Sequence, residues 1–201
     1  MLNKPIWALT ASELCKKTKN NELSATEITA ACLEQTKKVN PQLNAIVDDM
    51  SDEAIKHAES LDSEVAAGKP KGRLFGVPVT VKINVDQKGY ATSNGVTALK
   101  NLIAKTNAPI VDHLMDAGAV FVGRTNTPEF SFRADTENPL YGRTNNPWGN
   151  HLSPGGSSGG ASSAVMAGMC TLAHGNDIGG SLRFPSVATG AVTLKPGLGR
   201  V

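Results

Sequence analysis

Residues 76–85, GVPVTVKINV, carry the clearest strand signal in the chain. They combine β-branched and apolar residues and are bounded by glycine and proline, which is typical of a buried strand. A helix is predicted from about residue 109 to 117, and it leads into a second apolar run at 119–123, AVFVG. This strand, helix, strand order predicts a βαβ unit in an α/β fold with a largely parallel sheet.

The N-terminal third has the pattern of helices. Thr10 with Glu13 and Ser24 with Glu27 both fit the capping box, in which a hydroxyl and a carboxylate satisfy the free amides at a helix start. A third helix is predicted over about 52–67. We therefore expect three helices before the first strand.

The C-terminal part alternates loops with short elements. A polar loop is predicted over about 129–154, followed by a buried small-residue helix at about 161–170 and a short strand at 171–173. The segment 191–194, AVTL, is also typical of a strand.

Composition limits the classes of protein. The 201 residues are 40% hydrophobic and 19% charged, which predicts one globular domain. The net charge of +2 is spread along the chain, so we expect no direct nucleic-acid contact and no membrane binding. The start has no signal-peptide pattern, and Cys15, Cys32 and Cys170 are typical of reduced core thiols, which together predict a cytoplasmic protein.

Two glycine-rich loops carry the candidate chemistry, 153–160, SPGGSSGG, and 175–183, GNDIGGSLR. Glycines on both sides of a serine allow a substrate to approach the main chain closely, so a nucleophile and an oxyanion hole can share one turn. A flexible linker is the alternative interpretation. It is disfavoured because one loop leads into an apolar helix and the other follows a strand.

Together with 76–82, GVPVTVK, and 194–196, LKP, followed by GRV at 199–201, these loops resemble the amidase-signature family. The resemblance implies an α/β/α layered fold around a mixed, largely parallel sheet, preceded by N-terminal helices. Family members are more than twice this length. We therefore expect residues 1–201 to be the N-terminal part of a single domain in a truncated chain, with a helical region at 1–70 and a catalytic α/β region at 71–201.

The resemblance implies a Ser-Ser-Lys triad. Ser181 would be the nucleophile, Ser157 the bridging serine after a cis Gly156–Ser157 peptide, and Lys82 the general base. Lys82 can accept a proton only when it is neutral, so burial must lower its pKa from about 10.4 toward roughly 7 to 8.

The resemblance also implies residues that assist the triad. An oxyanion hole is expected from the main-chain amides of Ile178, Gly179, Gly180 and Ser181. Four further residues are expected to support the site: Gly156, Ser158, Asp177 and Arg183.

Three positions depart from the family pattern. Ile83 replaces an Asp that often follows the lysine, and an Asp there would favour the lysine cation. Asn176 stands where the family usually has Thr, and Gly197 stands where Thr commonly follows Lys-Pro. None of these departures removes a member of the triad.

The function implied is hydrolysis of a small-molecule carboxamide to a carboxylate and ammonia or an amine, through an acyl-enzyme on Ser181, without cofactor or metal. One alternative is the A subunit of a glutamine-dependent aminoacyl-tRNA amidotransferase, which would have partner subunits, whereas a stand-alone amidase could form a homodimer. Another is a catalytically inactive fragment or scaffold, and we expect little activity from residues 1–201 alone. The G-x-S-x-G pattern at 155–159 also matches an α/β-hydrolase elbow, but His174 precedes Asp177 and no buried strand precedes the loop.

Overall fold

A computed structural model describes residues 4–200, so both ends of the predicted domain 1–201 lie outside the described residues. The helices are α1 (Ala11–Lys19), α2 (Ala25–Leu43), α3 (Ser51–Ala66), α4 (Pro109–Asp116), α5 (Gly159–Met166) and α6 (Arg183–Thr189). The strands are β1 (Ile46–Asp49), β2 (Pro78–Lys82), β3 (Val120–Thr125), β4 (Glu137–Asn138), β5 (Gly142–Arg143) and β6 (Leu172–Ala173). None of the described helices is long and apolar enough to cross a membrane.

The main sheet has the strand order β1-β3-β2-β6. Strand β2 is parallel to both β3 and β6, whereas β1 is antiparallel to β3. Strands β4 and β5 form a separate hairpin. The predicted mixed, largely parallel sheet is confirmed, and within the described residues β6 leaves one edge of it unpaired.

Helices cover both faces of this sheet. Val120 and Val122 of β3 belong to an apolar core that also contains residues of α2, α3 and α5. Phe121, between them, belongs to a second core with Val111 of α4. Because successive strand residues point to opposite faces, one strand supplies both cores. The α/β/α layering is therefore confirmed.

The N-terminal helices begin where the local sequence predicts. The Thr10 hydroxyl accepts from the Glu13 amide at 3.2 Å, and the Glu13 carboxylate accepts from the Thr10 amide at 2.7 Å. Ser24 and Glu27 make the same pair of bonds, at 3.1 and 2.8 Å. Helix α3 lies one residue from its predicted bounds.

The expectation that three helices precede the first strand is wrong, because β1 lies between α2 and α3. Its sequence, IVDD, has no clear alternation, and only Ile46 is buried. Pairing with β3 and an ion pair at 2.8 Å from Asp48 to the buried Arg124 place it in the sheet. The first 70 residues thus contribute a strand to the same sheet as residues 71–201, and the division at residue 70 stays a prediction.

Strand β2 is shorter than the run that predicts it. Gly76 has φ +70° and lies against Ala25 of α2, which leaves no space for a side chain, so the chain turns there before the strand begins. The ladder ends at Lys82. Helix α4 and strand β3 lie within one or two residues of their predicted bounds.

The C-terminal elements differ more from expectation. Helix α5 begins two residues earlier than predicted and ends at Met166, and Gly168, with φ +72°, follows in a turn. Strand β6 is confirmed, but the described residues 191–194 form no strand. Helix α6 was not predicted.

The three cysteines are free. Cys32 and Cys170 lie in the core, where burial raises the pKa of each thiol to about 12. Cys15 is only half-buried, so the prediction of core thiols holds for two of the three.

Candidate active site

The candidate site lies where the parallel strands end. Strands β3, β2 and β6 run in one direction, so their carboxyl ends meet at one edge of the sheet. Lys82 is the last residue of β2, Thr127 follows β3, and Asn176 follows β6. The N-terminus of α5 brings Ser157 and Ser158 to the same edge, where ligands of parallel α/β sheets commonly bind.

Alternation along β2 directs Lys82 toward α5. Val79 and Val81 pack in the core beside α4, so Thr80 and Lys82 point to the opposite face. The Thr80 hydroxyl lies 3.5 Å from the Cys170 thiol on that face. Lys82 is completely buried.

The Lys82 amine contacts three polar side chains. Its Nζ lies 2.7 Å from Ser157 Oγ, 3.2 Å from Ser158 Oγ and 2.9 Å from Asn176 Oδ1. All three partners are uncharged. The amine therefore has hydrogen-bond partners without a counter-ion in contact.

Burial lowers the pKa of Lys82 to about 7, and the more distant Asp177 carboxylate opposes the shift only in part. A large share of the amine is then neutral near pH 7, as a general base requires. Burial, and to a lesser extent Lys82, lowers the pKa of His174 to about 4. Among residues 4–200, no three His, Cys, Asp or Glu side chains come together as a candidate metal site.

The main chain around Ser157 is held by neighbouring elements. The Gly156–Ser157 peptide is cis. The Thr127 hydroxyl donates to the Ser157 carbonyl at 2.9 Å. A side chain at Gly156 would overlap the main-chain carbonyl of Arg133, so glycine is required at that position.

Asp177 organises the second glycine-rich loop. Its enclosed carboxylate accepts the amides of Gly180 at 2.6 Å, Leu182 at 3.3 Å and Arg183 at 3.1 Å. The guanidinium of Arg183 adds an ion pair at 2.8 Å. The bonds from Arg183 are the main reason that the pKa of Asp177 lies well below its usual range. The carboxylate and the guanidinium thus hold the main chain of the turn, and their role in supporting the site stays a prediction.

The amides expected to form an oxyanion hole differ in their surroundings. That of Gly180 is bonded to Asp177. Within the described residues, the amides of Ile178, Gly179 and Ser181 donate no hydrogen bond. The Ile178 side chain is fully exposed. Three of the four amides of the turn are thus without a hydrogen-bond acceptor in the described structure.

Ser181 reaches the site through its main chain. Its carbonyl accepts the Ser158 amide at 2.9 Å, which joins the two glycine-rich loops. In the described part of the chain, no hydrogen bond connects the hydroxyls of Ser157 and Ser181. The structure therefore brings together the Lys82 and Ser157 side chains and leaves the Ser181 hydroxyl free; the roles of all three stay predictions.

A row of polar side chains behind Lys82 was not predicted. Asn176 Nδ2 donates to Asn84 Oδ1 at 3.1 Å, and Asn84 Nδ2 donates to Ser131 Oγ at 2.9 Å. The Ser131 hydroxyl in turn donates to Asn94 at 2.9 Å. The available signal was an asparagine soon after β2 and another soon after β6, because side chains at the carboxyl ends of parallel strands converge.

Comparison with known proteins identifies the family to which this fold belongs. The profile of the family described as Amidase matches residues 27–201, and the chain belongs to this amidase-signature family.

The relatives of the chain include enzymes that act on amides. It is 50% identical to an indoleacetamide hydrolase of Bradyrhizobium diazoefficiens over 98% of this chain and 38% of that protein. It is 39% identical to the A subunit of the glutamyl-tRNA(Gln) amidotransferase of Carboxydothermus hydrogenoformans, over 98% of this chain and 40% of that protein. A solved bacterial aryl acylamidase of the amidase-signature family superposes with a TM-score of 0.88 at 31% identity, over 92% of this chain and 39% of that structure. The chain thus spans about two fifths of the length of these proteins.

Proposed function

We propose that this chain carries the catalytic serines and lysine of an amidase, which hydrolyses a carboxamide C–N bond through an acyl-enzyme on Ser181. The observation that carries the proposal is the Lys82 amine. It is buried, has no counter-ion in contact and lies 2.7 Å from Ser157 Oγ, and burial lowers its pKa to about 7. A lysine in this state is suited to take a proton from a hydroxyl at neutral pH.

In the proposed acylation step, the Ser181 hydroxyl attacks the amide carbon. Its proton passes to Ser157, which gives its own proton to neutral Lys82. This relay requires the Ser181 hydroxyl, free in the described conformation, to come within hydrogen-bond reach of Ser157 when substrate binds. The short bond from Lys82 to Ser157 supports the second half of the relay.

The amides of Ile178, Gly179 and Ser181 would bind the oxyanion of the tetrahedral intermediate. One such donor is worth roughly 3 to 4 kcal/mol of transition-state stabilisation. The Gly180 amide would join them only after its bond to Asp177 opens. The C–N bond then breaks, and the leaving nitrogen takes the proton from Lys82 through Ser157.

Water completes the reaction by attacking the acyl-enzyme. It gives up a proton along the same relay, and the carboxylic acid leaves as the Ser181 hydroxyl is restored. No cofactor enters these steps.

The relatives support a choice of substrate class. The 50% identity to an indoleacetamide hydrolase favours a primary carboxamide on an aryl-substituted acyl group. The amidotransferase alternative, supported by the 39% identical relative, predicts release of ammonia from glutamine with partner subunits. Assaying indole-3-acetamide beside glutamine separates the two. A cytoplasmic location and a homodimer stay predictions.

The proposed function is tested on the complete protein that carries this chain, with a fluorophosphonate probe and an amide substrate. Ser181→Ala should lose both labelling and turnover. Ser63→Ala is the matched control, because it makes the same change on the exposed side of α3. Labelling of Ser181→Ala at the wild-type rate would contradict the role of Ser181 as nucleophile. A wild-type protein that is neither labelled nor active would support the scaffold alternative.

A further inference from the structure

We propose that Asn176 is a positioning residue: its Oδ1 accepts one N–H group of neutral Lys82 while Ser158 accepts the other, so that the lone pair of the amine faces the Ser157 hydroxyl. The inference rests on the proposed function and assigns a role to a residue that departs from the usual Thr of the family. It depends on the hydrogen bonds that surround the Lys82 amine.

A neutral amine has two N–H donors and one lone pair, whereas Lys82 has three partners. One partner must therefore donate to the nitrogen. Asn176 Oδ1 is a carbonyl oxygen and can only accept. The Ser158 hydroxyl is directed at the main-chain carbonyl of Asn176, 3.4 Å away, so it accepts from Lys82. The remaining partner is Ser157.

Ser157 is free to donate, because within the described residues its hydroxyl has no other partner than Lys82. In the neutral state the Ser157 proton thus lies between its oxygen and the lone pair of Lys82. That is the arrangement from which the proton is transferred.

The polar row behind the site sets the direction of the Asn176 side chain. Its Nδ2 donates to Asn84 Oδ1, and Asn84 Nδ2 donates to Ser131. Turning the Asn176 amide by 180° would place its Nδ2 against the Lys82 donors and its oxygen against Asn84 Oδ1. Both contacts would be repulsive, so the row keeps an acceptor pointed at Lys82.

The absence of charge on Asn176 also matters. Two titratable groups act on Lys82 from the loop after β6, Asp177 and His174. Asp177 is engaged by Arg183, and His174 is neutral above about pH 4. The serines of the α5 N-terminus are neutral. An amide oxygen therefore positions the amine while favouring the ammonium ion less than a carboxylate at residue 176 would.

The test compares the pH dependence of kcat/KM for three variants of the complete protein. Asn176→Asp should raise the apparent pKa of the kcat/KM profile by more than one unit. Its kcat/KM should be at least tenfold below wild type at pH 7 and should largely recover above pH 9. Asn176→Ala should lower kcat at least tenfold at every pH with little change in KM. Asn176→Thr, which restores an oxygen acceptor, should recover most of the activity lost in Asn176→Ala.

Wild-type profiles for Asn176→Asp and Asn176→Ala would overturn the proposal, as would an equal loss at all pH values in a folded Asn176→Asp protein. Should that variant fail to fold, Asn84→Asp decides: it leaves Asn176 in place, adds a charge one residue further away, and should raise the apparent pKa by a smaller amount. An unshifted profile for Asn84→Asp would then overturn the proposal.

Ser181→Ala is assayed in parallel. If it is inactive while the variants at residue 176 behave as wild type, the proposed function stands and the positioning role fails, whereas activity in Ser181→Ala rejects both.

Discussion

The amine of Lys82 lies 2.7 Å from the hydroxyl of Ser157, although 75 positions separate the two residues in the chain. The contact joins the carboxyl end of β2 to the loop that begins α5, in a region where Lys82 is completely buried. A buried amine with neutral partners is costly to protonate. The fold therefore favours the neutral amine, which is the form that the proposed chemistry requires.

The activity should depend on pH through Lys82. Because burial lowers its pKa to about 7, the neutral base accumulates as pH rises through 7. We expect kcat/KM for amide hydrolysis to increase about tenfold per pH unit below the pKa and to level off above about pH 8. Lys82→Met should be inactive throughout. A flat wild-type profile between pH 5.5 and 9 would contradict Lys82 as the base.

Neutralising Asp177 should impair the turn that carries Ser181. Asp177→Asn loses the charge-assisted bonds to Arg183 and weakens the acceptor for the Gly180 amide. We expect at least a tenfold fall in kcat, with the apparent pKa moving down because Asp177 normally raises that of Lys82. The control Glu64→Gln neutralises the carboxylate of an exposed ion pair, at 3.3 Å from Lys69, and should remain near wild type. An upward shift in the apparent pKa of Asp177→Asn would contradict the expectation that Asp177 raises the pKa of Lys82.

A methyl group at residue 160 should destabilise the protein. An added Cβ there would lie 2.5 Å from the Asn126 amide nitrogen and 2.9 Å from the Ala45 carbonyl oxygen. Main-chain atoms cannot yield as a flexible side chain can, so the overlap should outweigh the helix propensity that alanine adds. Urea unfolding of Gly160→Ala should give a loss of about 1 to 3 kcal/mol. Gly197→Ala, with nothing within 4 Å of the new atom, should be close to neutral.

The buried ion pair between β1 and β3 should matter more than a surface pair. Asp48→Ala would leave the fully buried Arg124 guanidinium without its carboxylate, at a cost of about 3 to 5 kcal/mol. Glu64→Ala removes an exposed partner of Lys69 and should change the unfolding free energy by less than about 1 kcal/mol. If urea unfolding gave similar losses of unfolding free energy for Asp48→Ala and Glu64→Ala, this expectation would be contradicted.

Elements with local causes could be predicted from the sequence. The first two helices begin at capping boxes, whose donors and acceptors lie within four consecutive residues. The core of β2 follows from its run of apolar, β-branched residues. The glycine-rich loops also mark their own positions, because glycine allows backbone angles and close approaches that other residues do not.

Features that depend on distant partners were missed or misplaced. Strand β1 forms because its main chain pairs with β3 and its Asp48 forms an ion pair with Arg124. The segment 191–194 has strand-like residues but no pairing partner in the described structure, so composition alone misled the prediction.

The sequence by itself determined the layered α/β framework and the candidate triad, because strand and helix patterns and the family motifs are local properties of the chain. Only the tertiary structure decided that Asn176 and Asn84 lie behind Lys82. The reason is physical: β2 and β6 are parallel, so residues more than 90 positions apart, such as Lys82 and Asn176, meet at one edge of the sheet. There, burial lowers the pKa of Lys82, and its amine contacts Ser157, Ser158 and Asn176.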